Sequence, residues 1–280
     1  MRDAVARAIA EDLTPLGDLS AALLPAGVTA HAEFVARDAG VVAGTRCATE
    51  TFRQIDESVA VEWHLVDGDA VGERQVIGTV RGPFGSVLTA ERTVLNFLGH
   101  LSGVATRVAE LVAVLQAAGG DQAPRLWDTR KTTPGLRALQ KAAVRAGGGR
   151  NHRGNLSDWV MLKDNHLMGV GITEGVRRAR DRWPGRTIHV ECERLAQVVE
   201  AAEAGADALL LDNMSPDQVR ACVHAVDELG FGRRRPLLEI SGGVTLENAP
   251  LYARCGADMI SSGSLTNSAR VLDIGLDFVG

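Results

Sequence analysis

The 280 residues carry 30 basic and 35 acidic side chains, a net charge of −5, with 45% hydrophobic residues, enough for one large core or two modest ones. An acidic chain has no general attraction for nucleic acid or an anionic membrane, and no uninterrupted apolar run approaches the ~18 residues of a membrane span. Cys47, Cys192, Cys222 and Cys255 stand far apart with no CxxC spacing, which favours reduced thiols in a cytoplasmic setting and argues against structural zinc. The N-terminal stretch turns acidic at Glu11 and Asp12 and does not read as a signal peptide.

In chain order, an amphipathic helix near residues 2–11 precedes a loop punctuated by glycine and proline. Strands follow at 31–37, 59–65 and 75–81, with a helix near 44–55 between the first two. Val66-Asp67-Gly68-Asp69-Ala70-Val71 reads as a hairpin. It resembles the lysine-bearing turn of lipoyl carrier domains, but no lysine lies near it, which excludes that function. A long helix from about 86 to 118 places Leu88, Leu95, Leu98, Leu101 and Val104 on one face. Arg92, within Glu91-Arg92-Thr93, reads there as a solvated helix charge.

From residue 125 the rhythm becomes that of a parallel sheet or barrel, with short apolar runs alternating with helices. The runs are 126–127, 160–162, 188–190, 208–211, 237–240 and 259–260, and each ends in a polar or glycine-bearing group. In a parallel barrel every strand C-terminus opens on one face, where sites are built.

Those strand ends form two electrical halves. Arg130, Lys131, His152, Arg153 and Lys163 are cationic, joined by Gly147-Gly148-Gly149-Arg150-Asn151, and such a cluster calls for a small polyanion. All three lysines of the chain (Lys131, Lys141, Lys163) fall within 33 residues, whereas 27 other basic residues are arginine. Lysine therefore marks positions that need a compact ammonium. Glu191 and Asp212 form the anionic half, each following an apolar strand, and suit Mg²⁺ held together with phosphate oxygens. Glu193 is the rival to Glu191. The last two strand ends, Ser241-Gly242-Gly243 and Ser262-Gly263, suit a phosphate cradle. Together these features describe a site for a phosphorylated, Mg²⁺-chelated sugar beside an acidic co-substrate. Neither a Walker A motif nor a G-x-G-x-x-G following a first strand is present.

Asp128-Thr129-Arg130-Lys131-Thr132-Thr133-Pro134-Gly135-Leu136-Arg137, Gly147 to Arg153 and Leu162-Lys163-Asp164-Asn165-His166 resemble the quinolinate phosphoribosyltransferase family in order and spacing. So do Glu91-Arg92-Thr93, Leu101-Ser102-Gly103, Leu211-Asp212-Asn213 and Ser241-Gly242-Gly243. The resemblance implies an open α/β sandwich domain over 1–103 and an incomplete, about seven-stranded α/β barrel over 104–266, with a tail from 267 that packs back on the first domain. It implies a homodimer in which Arg92 reaches the neighbouring site. It further implies that Arg130, His152, Arg153 and Lys163 hold quinolinate, and that Lys131, Glu191 and Asp212 handle phosphoribosyl pyrophosphate (PRPP) and Mg²⁺. Ser241, Gly242, Gly243, Ser262 and Gly263 would then cradle the 5-phosphate. Lys163, Glu191 and Asp212 are the expected catalytic residues, and Lys141 matches a family lysine without an assigned role. His189 stands where the family usually has glutamate, and Ala142, Gly154, Asn155 and Asn267 also depart from its pattern. Such departures fit a paralogue for another aromatic acid as the alternative, with a non-catalytic binding protein on the same scaffold as the other.

Overall fold

The computed structural model describes residues 1–279, which form two compact units. The first contains Met1–Ala109, Lys131–Gly148 and the chain from Ser264 onward; the second contains Glu110–Arg130 and Gly149–Gly263.

The first unit is built on a four-stranded antiparallel sheet. Strand β1 (Thr29–Ala36) lies between β5 (Val76–Pro83) and β12 (Ile274–Phe278), and β3 (Ala60–Trp63) flanks β5. Along β1, Ala30, Ala32, Phe34 and Ala36 are buried while His31 and Glu33 are only half-buried, the two-residue period of a strand with one face on a core. Helix α1 (Arg2–Leu13) precedes this sheet, and α2 (Thr45–Ile55) buries Cys47, Ala48, Thr51 and Phe52 along one face. The Phe34 ring stacks on Trp63 at 5.0 Å and meets Phe52 at 6.3 Å. Burying a side chain such as Phe34 completely stabilises the fold by about 1.5–3 kcal/mol.

The segment expected as a hairpin makes a turn, with Asp69 N–H donating to the Val66 carbonyl at 3.0 Å. The strand after it, β4 (Ala70–Val71), pairs instead with β2 (Gly40–Val41). Two backbone bonds impose that partner: Gly68 N–H to Val42 and Val42 N–H to Asp69, both 2.9 Å.

Helix α3 (Phe84–Gly119) is contributed to by both units. By length and composition alone it is apolar enough to cross a membrane. Its Val87, Val94, Leu98 and Leu101 are buried within the protein, however, so it serves as a core helix. Helix α4 (Arg137–Ala146) also belongs to the first unit.

The second unit is a parallel sheet of six strands: β6 (Arg125–Trp127), β7 (Val160–Leu162), β8 (Ile188–Cys192), β9 (Ala208–Asp212), β10 (Leu237–Ser241) and β11 (Met259–Ser261). Their order is β6-β11-β10-β9-β8-β7, so β6 and β7 are edges and the barrel is open. About seven strands were expected. A seventh is reduced to one parallel bridge, Trp127 with Arg150, because Gly147-Gly148-Gly149 precedes it and the chain turns onto Asp128 directly after. Helices α5 (Asp164–Leu167), α6 (Ile172–Arg182), α7 (Leu195–Glu203), α8 (Pro216–Glu228) and α9 (Ala249–Tyr252) link the strands. A last single turn, α10 (Ser264–Asn267), precedes β12.

Candidate active site

Residues paired across parallel strands carry their side chains on the same face, and so do residues two apart along one strand. The register sets Glu191, Leu210, Glu239 and Met259 in one row across β8 to β11. Asp212, Ser241, Ser261 and Trp127 form the row two residues further on. Leu162 pairs with Val190, which brings Lys163 level with Glu191 as the chain leaves β7. Lys163 Nζ donates to Glu191 Oε2 in a close ion pair. The cationic and anionic halves read from the sequence therefore meet at this contact. Glu193 is exposed, its backbone N–H donating to Gln197 Oε1 at 2.9 Å, and makes no such pair among the described residues.

The glycine-rich segment is held by Asp128, which is fully buried. One carboxylate oxygen accepts the His152 backbone N–H and the other accepts Asn151 Nδ2, both at 2.8 Å. His152 and Arg153 follow that anchor and are themselves buried. Burial, and then the neighbouring charge of Arg130, lower the Arg153 pKa against the pull of Asp158, Glu191 and Glu239. Two guanidiniums that repel one another in a desolvated place are stabilised by an anion shared between them.

At the end of β9, Asp212 Oδ2 accepts Asn213 Nδ2 at 2.8 Å. Ser241 Oγ accepts from Ser261 Oγ–H at 3.2 Å on the neighbouring strands. Gly242 and Gly243 both adopt left-handed backbone, with φ of 89° and 63°, and a Cβ at Gly242 would come within 2.2 Å of Asn213 Oδ1. Ser262 N–H donates to the Trp127 carbonyl at 3.1 Å, and Gly263 follows it. The helices after these loops, α9 and α10, are single turns. A cradle here thus rests on loop N–H groups and hydroxyls rather than on a helix dipole. Arg92, exposed on α3, and Lys131, whose carbonyl accepts Thr266 Oγ1–H at 2.7 Å, are carried by the first unit. Lys141 is buried on α4 of the same unit.

Sequence reasoning missed Glu239. This fully buried carboxylate has its Oε2 3.2 Å from His152 Nε2 and 3.6 Å from His189 Nδ1. The available signal was one charge inside the apolar run Leu237–Ile240, two residues before Ser241 and so on the same face. Trp159 was missed as well; its ring meets His152 edge-on at 4.6 Å and stacks on His189 at 5.0 Å.

An open parallel α/β sheet with paired carboxylates, a lysine, the buried Arg153 and the half-buried Arg130 at its strand ends defines an α/β-barrel protein built to hold a small polyanion. A family model described as "Quinolinate phosphoribosyl transferase, C-terminal domain" matches residues 104–277, and its N-terminal counterpart matches residues 18–102. The chain belongs to the quinolinate phosphoribosyl transferase family. It is 41% identical over 266 residues to a probable nicotinate-nucleotide pyrophosphorylase [carboxylating] of Bacillus subtilis, spanning 93% of this chain and 88% of that protein. It is 40% identical over 282 residues to the nicotinate-nucleotide pyrophosphorylase [carboxylating] of Mycobacterium leprae, spanning 99% and 96%. Among solved structures, the nicotinate-nucleotide pyrophosphorylase of Francisella tularensis superposes with a TM-score of 0.91 at 33% identity, covering 99% of this chain and 95% of that one.

Proposed function

We propose that this protein transfers the phosphoribosyl group of PRPP to quinolinate with loss of CO₂, giving nicotinate mononucleotide and pyrophosphate for NAD biosynthesis. The observation that carries the reading is the Lys163–Glu191 ion pair in a unit whose buried Arg153 is lowered in pKa by burial and the nearby Arg130 charge. Arg130, Arg153 and Lys163 supply the positive charge that two carboxylates on adjacent ring carbons need, with His152 as a further contact. Ser241 to Gly243 and Ser262-Gly263 receive the 5-phosphate, and Lys131 meets the pyrophosphate.

In the reaction the pyridine nitrogen bonds to the anomeric carbon as the bond to pyrophosphate breaks. Positive charge grows on the ribose in between, and Glu191 and Asp212 are the carboxylates that stabilise it. The alkylated ring nitrogen then draws the electron pair of the breaking carbon–carboxylate bond into the ring, CO₂ leaves, and that ring carbon takes up a proton. No protein nucleophile is needed. The protein's work is to hold two mutually repelling anions in reacting geometry.

Glu191 and Asp212 offer hard oxygen donors on neighbouring strands, a set that fits Mg²⁺. When bound, Mg²⁺ neutralises charge on the departing pyrophosphate. Asp212→Asn is expected to raise the Mg²⁺ concentration needed for half-maximal rate at least about tenfold, since outer and inner metal partners carry effects of that order. An unchanged Mg²⁺ titration would remove Asp212 from the metal site.

The protein is proposed to act as a cytoplasmic homodimer in which Arg92 completes the neighbouring site. The four free, buried cysteines suit that compartment. Mixing inactive Arg92→Ala with inactive Lys163→Ala should restore about a quarter of wild-type activity, because half the dimers then hold one intact site of two. No recovery in demonstrated heterodimers would sink the shared site.

The direct test is incubation with quinolinate, PRPP and Mg²⁺, scored for nicotinate mononucleotide and CO₂, with nicotinate as parallel acceptor. Product from quinolinate alone is expected. Turnover only with a different aromatic acid would give the paralogue.

A further inference from the structure

The first turn of α4 holds a polar residue that no step above uses. Gln140 is fully buried, a costly place for a primary amide unless its groups are bonded, and an apolar side chain of the same length would fill the space without that cost. Its Oε1 accepts the Thr133 backbone N–H at 2.9 Å, which fixes the orientation of the amide. Nε2 then faces three acceptors: His100 Nε2 at 2.8 Å, Thr133 Oγ1 at 3.0 Å and the Thr266 carbonyl at 3.2 Å. An amide nitrogen only donates, so His100 accepts through Nε2 and carries its proton on Nδ1. Burial lowers the His100 pKa and so favours that neutral ring.

What the amide holds is a loop. Residues 131–135 carry Lys131 and are exposed, apart from the half-buried Thr132. The Lys131 carbonyl accepts Thr266 Oγ1–H at 2.7 Å, and Thr132 Oγ1 accepts Arg137 Nε–H at 3.1 Å. Thr133 meets Gln140 through both its N–H and its hydroxyl oxygen, and Leu136 N–H closes the turn onto the Thr133 carbonyl at 3.1 Å. Gln140 therefore reaches Thr133, two residues past Lys131, and also Thr266, whose hydroxyl holds the Lys131 carbonyl. The backbone of Lys131 is fixed from two sides by bonds that converge on one side chain. All of these residues belong to the first unit.

We propose that Gln140 is a positioning residue for PRPP, clamping the 131–135 loop so that the Lys131 ammonium is in place before the pyrophosphate arrives. The inference rests on the reading given above, in which Lys131 meets that group. A lysine on an exposed loop loses freedom when it engages a ligand, and anchoring its backbone beforehand removes part of that cost.

Initial rates of nicotinate mononucleotide formation, with each substrate varied at saturation of the other, test this. Gln140→Met keeps the length and the apolar body of the side chain but loses the amide, and the exposed Thr133 N–H then turns to water. If the freed loop holds the ready arrangement about a tenth of the time, the KM for PRPP rises about tenfold, whereas kcat and the KM for quinolinate stay within about twofold. Lys131→Ala should raise the KM for PRPP by itself, and Gln140→Met added to it should then change nothing further, because the one residue acts through the other. An unchanged KM for PRPP in Gln140→Met would overturn the proposal. So would equal weakening towards both substrates, the mark of a merely loosened helix, or additive effects in the double variant. If Gln140→Met does not fold, Thr133→Ala, which removes the hydroxyl contact at an exposed position, replaces it, and an unchanged KM for PRPP there overturns the proposal in the same way. Inactive wild type, or Lys131→Ala with a normal KM for PRPP, defeats the reading of the site. A raised KM in Lys131→Ala beside a normal one in Gln140→Met defeats this inference alone.

Discussion

Lys163→Ala should lower kcat/KM about a thousandfold while leaving the melting temperature nearly unchanged. A unit charge about 4 Å from an anion in a partly screened site is worth about 4 kcal/mol, which corresponds to roughly that factor in rate. Folding is spared because the Lys163 side chain is 43% exposed and leaves no cavity when shortened. Its partner Glu191, 14% exposed, keeps some contact with water once the ammonium is gone. Lys163→Arg separates charge from shape. The guanidinium keeps the charge but is broad and planar where the strand end holds a compact ammonium beside Glu191, so it should recover no more than about a tenth of the activity. Nicotinate mononucleotide formation checks both variants, and activity within twofold of wild type in Lys163→Ala would place Lys163 outside the site.

Gly103→Ala is the largest expected change in stability. Gly103 lies in the interior of α3, where alanine normally helps a helix, but here a Cβ would stand 1.9 Å from the Arg270 carbonyl oxygen and 3.1 Å from the Leu272 nitrogen. Both are backbone atoms, so the strain cannot be relieved by turning a side chain. Overpacking of this kind costs about 3 kcal/mol or more, a fall in melting temperature on the order of 10 °C for a chain of this size. Gly85→Ala, in the first turn of the same helix, meets nothing nearer than 3.8 Å and should be neutral or slightly stabilising. Thermal unfolding followed by circular dichroism distinguishes the two. Equal melting temperatures would mean that the 270–272 segment gives way. The neighbouring Ser102 explains why this stretch is a motif at all, since its hydroxyl accepts the Ala43 N–H at 2.9 Å and donates to the Ala43 carbonyl at 3.1 Å.

Much of the second unit was legible because its signals are local. Each strand is a short apolar run stopped by a polar or glycine residue, and all six expected runs lie in strands. Glu191, Asp212 and Ser241 prove to be part of their strands rather than the residues after them. What stayed hidden depends on pairing between distant segments. Lys163 and Glu191 are 28 residues apart, and only the β7–β8 register makes them partners. Glu239 was hidden by its surroundings, since a carboxylate in an apolar strand shows its purpose only when His152, 87 residues away, is seen against it. The β2–β4 pairing escaped for a different reason: two-residue strands have no period to detect.

Strand β12 has a consequence for how the protein is made. It pairs with β1 from Ala32–Phe278 to Ala36–Ile274, and Arg37 reaches across to Asp277, 240 residues away in sequence. During synthesis one edge of β1 therefore stays without its partner until every strand of the second unit has left the ribosome. Long-range closures of this kind form late and slowly, and an unpaired strand edge is a template for another chain. The nascent protein is thus most exposed to self-association in the interval before residues 274–278 emerge, and those few residues end its vulnerable period.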